Sequence, residues 1–343
     1  MRARAVASPA AVAISADGKN VYTVSGVGSQ GALAVFARNR TSGALRESGC
    51  VLRMLTRVCQ TGLGLETPIA VAVAPDGKLV VTAAQNGRSV GLYRRAKNGA
   101  LTPAGSLRGL DHPSGLAFRP DGSLLLVATA RGIVSFLRRP SGLLERGSGP
   151  SPCDAYRGCN AVAFAPGGAE GTFAYAVSGG GAHGSISTFA VARDGRLSLM
   201  PPTAAHAIKQ PFSVAVSADG KNVYVAASVS SGVAIFARDR VTGALTQTGC
   251  VTATGSQGAC AKYVGLGGAW SVAVSKDGKN AYVASYGSST VAVFARDTSG
   301  TLRETETFQP RGASRLSGVA VSPDARNVYT VGNGVAVLKR RAT

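Results

Sequence analysis

The chain contains no run of about 18 apolar residues, so its sequence offers no membrane-spanning helix. Its first fifteen residues, MRARAVASPAAVAIS, carry two arginines but no unbroken apolar stretch, and they do not read as a signal peptide. Tryptophan occurs once and methionine three times in 343 residues, whereas glycine reaches 45. With β-branched residues frequent, that balance fits many short strands joined by tight turns and argues against a helical protein. Acidic residues are few, 17 against 37 Lys and Arg, for a formal charge of +20. Such an excess draws a protein toward polyanions. No aromatic-rich basic stripe or nucleic-acid motif accompanies it, so no specific nucleic-acid partner is expected. Equally absent are a calcium-binding EF-hand loop, a Gly-x-Ser-x-Gly elbow, a P-loop and a zinc-protease motif. No metal and no cofactor are called for.

What is present is repetition. Seven segments align: SPAAVAISADGKNVYTV from Ser8, TPIAVAVAPDGKLVVTA from Thr67, HPSGLAFRPDGSLLLVA from His112, GCNAVAFAPGG from Gly158, QPFSVAVSADGKNVYVA from Gln210, GAWSVAVSKDGKNAYVA from Gly268 and RLSGVAVSPDARNVYTV from Arg315. Their turn residues Asp17, Asp76, Asp121, Gly167, Asp219, Asp277 and Asp324 stand 45 to 59 residues apart. Each unit reads as four strands, with an Asp-Gly hairpin turn between the first two. One face of the first strand is small in every copy, as at Ala11/Ala13, Gly115/Ala117 and Gly318/Ala320. Blades converging on an axis require that. The fold expected is therefore all-β: one seven-bladed propeller domain over residues 1–343, with four antiparallel strands per blade. The seventh copy stops after its third strand, so the N-terminal segment Arg2–Ala7 is expected to complete the last blade and close the ring.

The cores SADGKNVYV and SPDARNVYT, followed by AIFARD or AVFARD, resemble the YVTN-type and lactonase-like seven-bladed propellers over nearly the whole chain. Relatives of that kind include lactone hydrolases, a muconate-cyclising enzyme and surface proteins without known catalysis. The segment Asp111-His112-Pro113-Ser114-Gly115 is similar to the His-Pro-His-Gly type segment of lactonase-like propellers, with Ser114 in place of the second histidine.

The six cysteines form local pairs, Cys50/Cys59, Cys153/Cys159 and Cys250/Cys260, each in a connection from one repeat to the next. Three loop-stapling disulfides are expected, and with them an extracellular or periplasmic location. A metal site is the competing reading, but no Cys-x-x-Cys pair or nearby histidine favours it.

Chemistry is expected on the top face, where the connections between blades meet the loops between second and third strands. Just before each inner strand stand Ser8, Thr67, His112, Gly158, Gln210, Gly268 and Arg315, and all three histidines, His112, His183 and His206, map to this face. For lactone chemistry His112 is the candidate base, Glu66 or Asp111 its partner, and Arg157 or Arg315 the anion clamp. Gln210, Phe212, Trp270, Asn160 and His183 are candidate ligand contacts, with Phe212 and Trp270 as a stacking platform or a plug. Arginines recurring after each third strand, among them Arg38, Arg95, Arg138, Arg238 and Arg296, are expected on a solvated bottom rim partly balanced by the turn aspartates. Three functions follow: a binding scaffold for a small molecule, glycan or protein, which is favoured; a lactone hydrolase or lactonising cyclase; and a polymer-binding underside. Whether the chain is an enzyme is left open at this point.

Overall fold

The computed structural model describes residues 7–26, 31–54, 56, 58–153, 158–166, 172–180, 182–255 and 260–340. Among them there is no helix, and the strands form seven small sheets in a ring, a seven-bladed β-propeller. Blade one runs Pro9–Ile14, Asn20–Ser25, Ala32–Arg38 and Leu45–Leu52 from the axis outward, each strand antiparallel to the last. Blades two to six repeat this order from Pro68, Gly115, Ala161, Pro211 and Ala269, and blade seven has Gly318–Val321, Asn327–Val331 and Val335–Lys339. The closing strand expected from the N-terminus lies mostly in residues 1–6, outside the described residues, as does the turn glycine Gly167.

Apolar side chains fill the spaces between neighbouring sheets. Tyr22, Val24 and Leu33 of blade one meet Val80 and Tyr93 of blade two, and a cluster of the same kind recurs between successive blades around the ring. Near the axis the sheets nearly touch. A side-chain carbon at Gly115 would sit 2.9 Å from Ala161 Cα in the next blade, which is why the inner strands carry only small residues on this face.

The underside departs from the expected solvated rim. At the end of the third strand in the other blades an arginine turns inward toward the preceding blade, whereas blade four has Val191 there. Arg95 of blade two donates to the Tyr22 hydroxyl (2.7 Å), the Asp17 carboxylate (2.9 Å) and Asn20 Oδ1 (2.7 Å), all in blade one, and to its own Gly77 carbonyl. Arg296 makes the same bonds to Tyr224, Asp219 and Asn222. Tyr22 and Tyr224 pass the link on, donating to the carbonyls of Gly99 and Gly300 in the following blade. The ring closes by this device as well, since Arg38 of blade one reaches Asp324, Asn327 and Tyr329 of blade seven. These arginine side chains are almost fully buried because a planar fork satisfies three acceptors at once. Their charge was expected in water and is instead spent between blades.

The disulfides join the expected pairs, Cys50–Cys59, Cys153–Cys159 and Cys250–Cys260. In blades one and five they do more than staple a loop. The chain leaving each bridge adds a short parallel fifth strand, Gln60–Thr61 or Ala261–Lys262, to the outer edge of its sheet.

Candidate functional site

The residue before the inner strand adopts an uncommon backbone in every blade but the fourth, where Gly158 stands. Ser8, Thr67, His112, Gln210 and Arg315 have φ between 46° and 55°, and Gly268 has φ of 66°. Five side chains are thus held in the left-handed region that glycine fills most easily. The turn is locked from the neighbouring loop: Ala130 N donates to Asp111 O, Gln85 N to Thr67 O and Ser228 N to Gln210 O. The twist delivers each side chain to the top of its blade. Strain of this kind gathers at functional positions.

At blade three the result is a compact charged cluster. His112 Nδ1 lies 3.1 Å from Asp111 Oδ1, and the imidazole is half exposed. Arg88, from the second-to-third loop of blade two, approaches the same carboxylate at 3.3 Å, and Arg131, from the matching loop of blade three, donates Nε to Asp111 Oδ2 at 3.1 Å. The hydrogen bond with His112 and the two guanidinium charges hold the Asp111 carboxyl below the usual carboxylate range, so it is ionised at neutral pH. With a hydrogen on Nδ1 directed at Asp111, Nε2 is the acceptor nitrogen of the neutral ring. One carboxylate against two guanidiniums leaves the mouth positive.

The structure thus brings Asp111 to His112, and gives the other described candidates different partners. Glu66 pairs with Arg53 at 3.4 Å. The Arg315 N–H donates to Ser289 Oγ, in the adjoining blade. Arg157 lies outside the described residues. Asn160 spends its amide on the carbonyls of Gly179 and Pro211, bridging blades four and five. The backbone N–H of Gln210 bonds to the His183 carbonyl, which ties those two loops together. Arg88 and Arg131 stand in the loops after second strands, away from the positions before first strands that the repeat marks. Both loops share the top face, and that shared placement was the available signal.

Phe212 and Trp270 are brought together by a device the sequence does not announce. Each is the extra residue of a β-bulge in its inner strand, between Pro211 and Ser213 and between Ala269 and Ser271. A bulge re-aims its side chain. Here the two rings stack at 3.8 Å and 13°, with Tyr286 at 5.1 Å from Trp270 on the exposed side.

His206 overturns one step of the sequence argument. It had no cysteine near it in the chain, yet its imidazole, Cys250 Sγ and Cys260 Sγ lie within 4.8 Å of one another. Gln247 holds the loop in place, accepting from His206 N and donating to His206 O. The two sulfurs are bonded to each other, so they offer no thiolate to a metal.

Seven small antiparallel sheets set in a ring define the class, a seven-bladed β-propeller. The family model "Lactonase, 7-bladed beta-propeller" matches residues 2–108 and 153–263, well over half of the chain, and the protein belongs to that family. The match leaves out the segment that carries Asp111, His112 and Arg131. Among solved structures, a candidate 6-phosphogluconolactonase from Bacteroides uniformis is 24% identical with a TM-score of 0.69, covering 88% of this chain and 85% of the other. A similar protein from Bacteroides fragilis is 23% identical over the same shares, with a TM-score of 0.67. The periplasmic gluconolactonase PpgL of Pseudomonas aeruginosa is 19% identical, with a TM-score of 0.68 and coverage of 88% and 85%. Likeness at this level shows the fold. No curated protein matches the sequence.

Proposed function

We propose that this protein hydrolyses a lactone at the mouth of blade three, with His112 as general base. The observation that carries this reading is the Asp111–His112 pair, 3.1 Å apart, with the imidazole half exposed. Membership of the lactonase family supports it. In the reaction His112 Nε2 takes a proton from water as the oxygen attacks the lactone carbonyl. Asp111 orients the imidazole and stabilises the imidazolium. The tetrahedral intermediate collapses with cleavage of the bond to the ring oxygen, which takes the proton back from His112. The product is a hydroxy acid, ionised at neutral pH, and Arg88 and Arg131 make the mouth favourable to its charge. The three disulfides fit work outside the cytoplasm, in the periplasm or beyond the cell.

The aromatic set favours a second reading, a binding scaffold in which a sugar ring lies against Trp270 and Tyr286. Assay of sugar and muconate-type lactones separates the two. Turnover that falls about a hundredfold or more in His112→Ala supports hydrolysis. Wild-type rates equal to the uncatalysed reaction remove it and leave the scaffold.

A further inference from the structure

The inter-blade tie is incomplete at several boundaries, and at the one between blades two and three the arginine keeps only its aspartate. Blade two has Leu79 and Val81 where blade one has Asn20 and Tyr22. Blade three still contributes its arginine. Arg138 keeps its ion pair with Asp76 at 3.0 Å, but the amide oxygen and phenol that receive Arg95 and Arg296 are missing. Across the gap, the turn of blade three stands away. A side-chain carbon at Gly142 would meet nothing within 4 Å, whereas at Gly43 and Gly300 it would strike Asn327 and Asn222 at 2.3 and 2.2 Å.

The space so opened is a groove of about 730 Å³ on the underside between blades two and three. The corresponding groove between blades five and six, where the tie is complete, is about 450 Å³. Lys78, Arg94, Arg95, Arg138 and Arg139 line the larger one, against the carboxylates of Asp76 and Asp121. Asp76 is taken by Arg138, and Asp121 accepts from Ser123 N and Oγ. Arg95 and Arg139 are paired with Asp17 and Glu145. Lys78 and Arg94 are exposed and make no ion pair among the described residues.

We propose that this groove is an oxyanion site, taking the phosphate group of a small ligand. The phosphate oxygens occupy the place of the missing phenol and amide acceptors, receiving the spare donors of Arg138 from within and Arg94 and Lys78 from the rim. Three donors around one group need an acceptor with several oxygens and negative charge, which a neutral sugar hydroxyl does not supply. The site is on the face opposite His112 and independent of the reaction proposed there.

Isothermal titration of the intact, oxidised protein with pyrophosphate tests it. Saturable binding at one site is expected in the wild type. It should weaken about tenfold or more in Lys78→Ala/Arg94→Ala, whose side chains lie outside the inter-blade ties. Leu79→Asn restores the amide acceptor for Arg138 and should weaken binding while holding or raising the thermal midpoint. His112→Ala should bind as the wild type does. Absence of saturable binding, equal affinity in the double variant, or loss of binding in His112→Ala would overturn the proposal.

Discussion

Arg38 and Tyr329 stand 291 residues apart in the chain, yet Arg38 Nε donates to the Tyr329 hydroxyl at 2.8 Å. The same guanidinium forks onto Asp324, and Tyr329 donates onward to the Gly43 carbonyl. Blade one is thereby fastened to blade seven by side chains. Further in, Ser317 Oγ donates to the Ala10 carbonyl across the same seam.

Arg38→Ala should therefore cost about 3 kcal/mol of stability, since it strands the partly buried Asp324 and the buried Asn327 amide. Urea denaturation measures it. A loss below about 1 kcal/mol would mean that the pair behaves as an ordinary surface salt bridge.

Stability should depend on pH at both extremes, through opposite partners of the same tie. Burial alone would raise the carboxyls of Asp17 and Asp219, but bonds from Ser15 or Ser217, a backbone N–H and the arginine hold them low. A carboxyl lowered in the folded state stabilises above its unfolded value of about 3.9, and the gain is lost as pH falls through the folded value. Burial pushes Tyr22 and Tyr224 up to about 12 from 10.0. Their contribution is whole below pH 10 and disappears as pH rises toward 12. Thermal midpoints should be flat between these limits. Asp219→Asn should blunt the acid fall and leave the alkaline one; an unchanged acid limb would remove the aspartates from the account.

The backbone at His112 sets activity against stability. At φ of 46° glycine is better tolerated than any side chain. His112→Gly should stabilise the fold by about 0.5–1 kcal/mol while abolishing lactone turnover. A destabilised glycine variant would show that the imidazole contributes more to packing than its half-exposed position implies.

Each bridge closes a short loop, with separations of 9, 6 and 10 residues. Replacing Cys250 and Cys260 by serine should cost about 2–3 kcal/mol. Because Ala261–Lys262 follows the bridge as an edge strand, hydrogen exchange there should rise first. Equal rates before and after would place the anchor of that strand elsewhere.

The sequence alone determined the number of blades, the small inner faces and the disulfide partners. Those depend on local composition and spacing: an Asp-Gly turn, an alternating Ala-Val strand and two cysteines ten residues apart or fewer say the same thing in any blade. It also marked Asp111 and His112, which are neighbours in the chain. Everything that depends on which blade faces which was decided only by the ring. Arg88 reaches Asp111 from another blade, His206 meets a disulfide 44 residues ahead of it, and Phe212 meets Trp270 because two bulges turn both rings inward. The arginines expected in solvent were buried for the same reason. A repeat read singly shows a basic residue at a strand end, and only the curvature that closes seven repeats supplies the tyrosine, aspartate and asparagine that receive it.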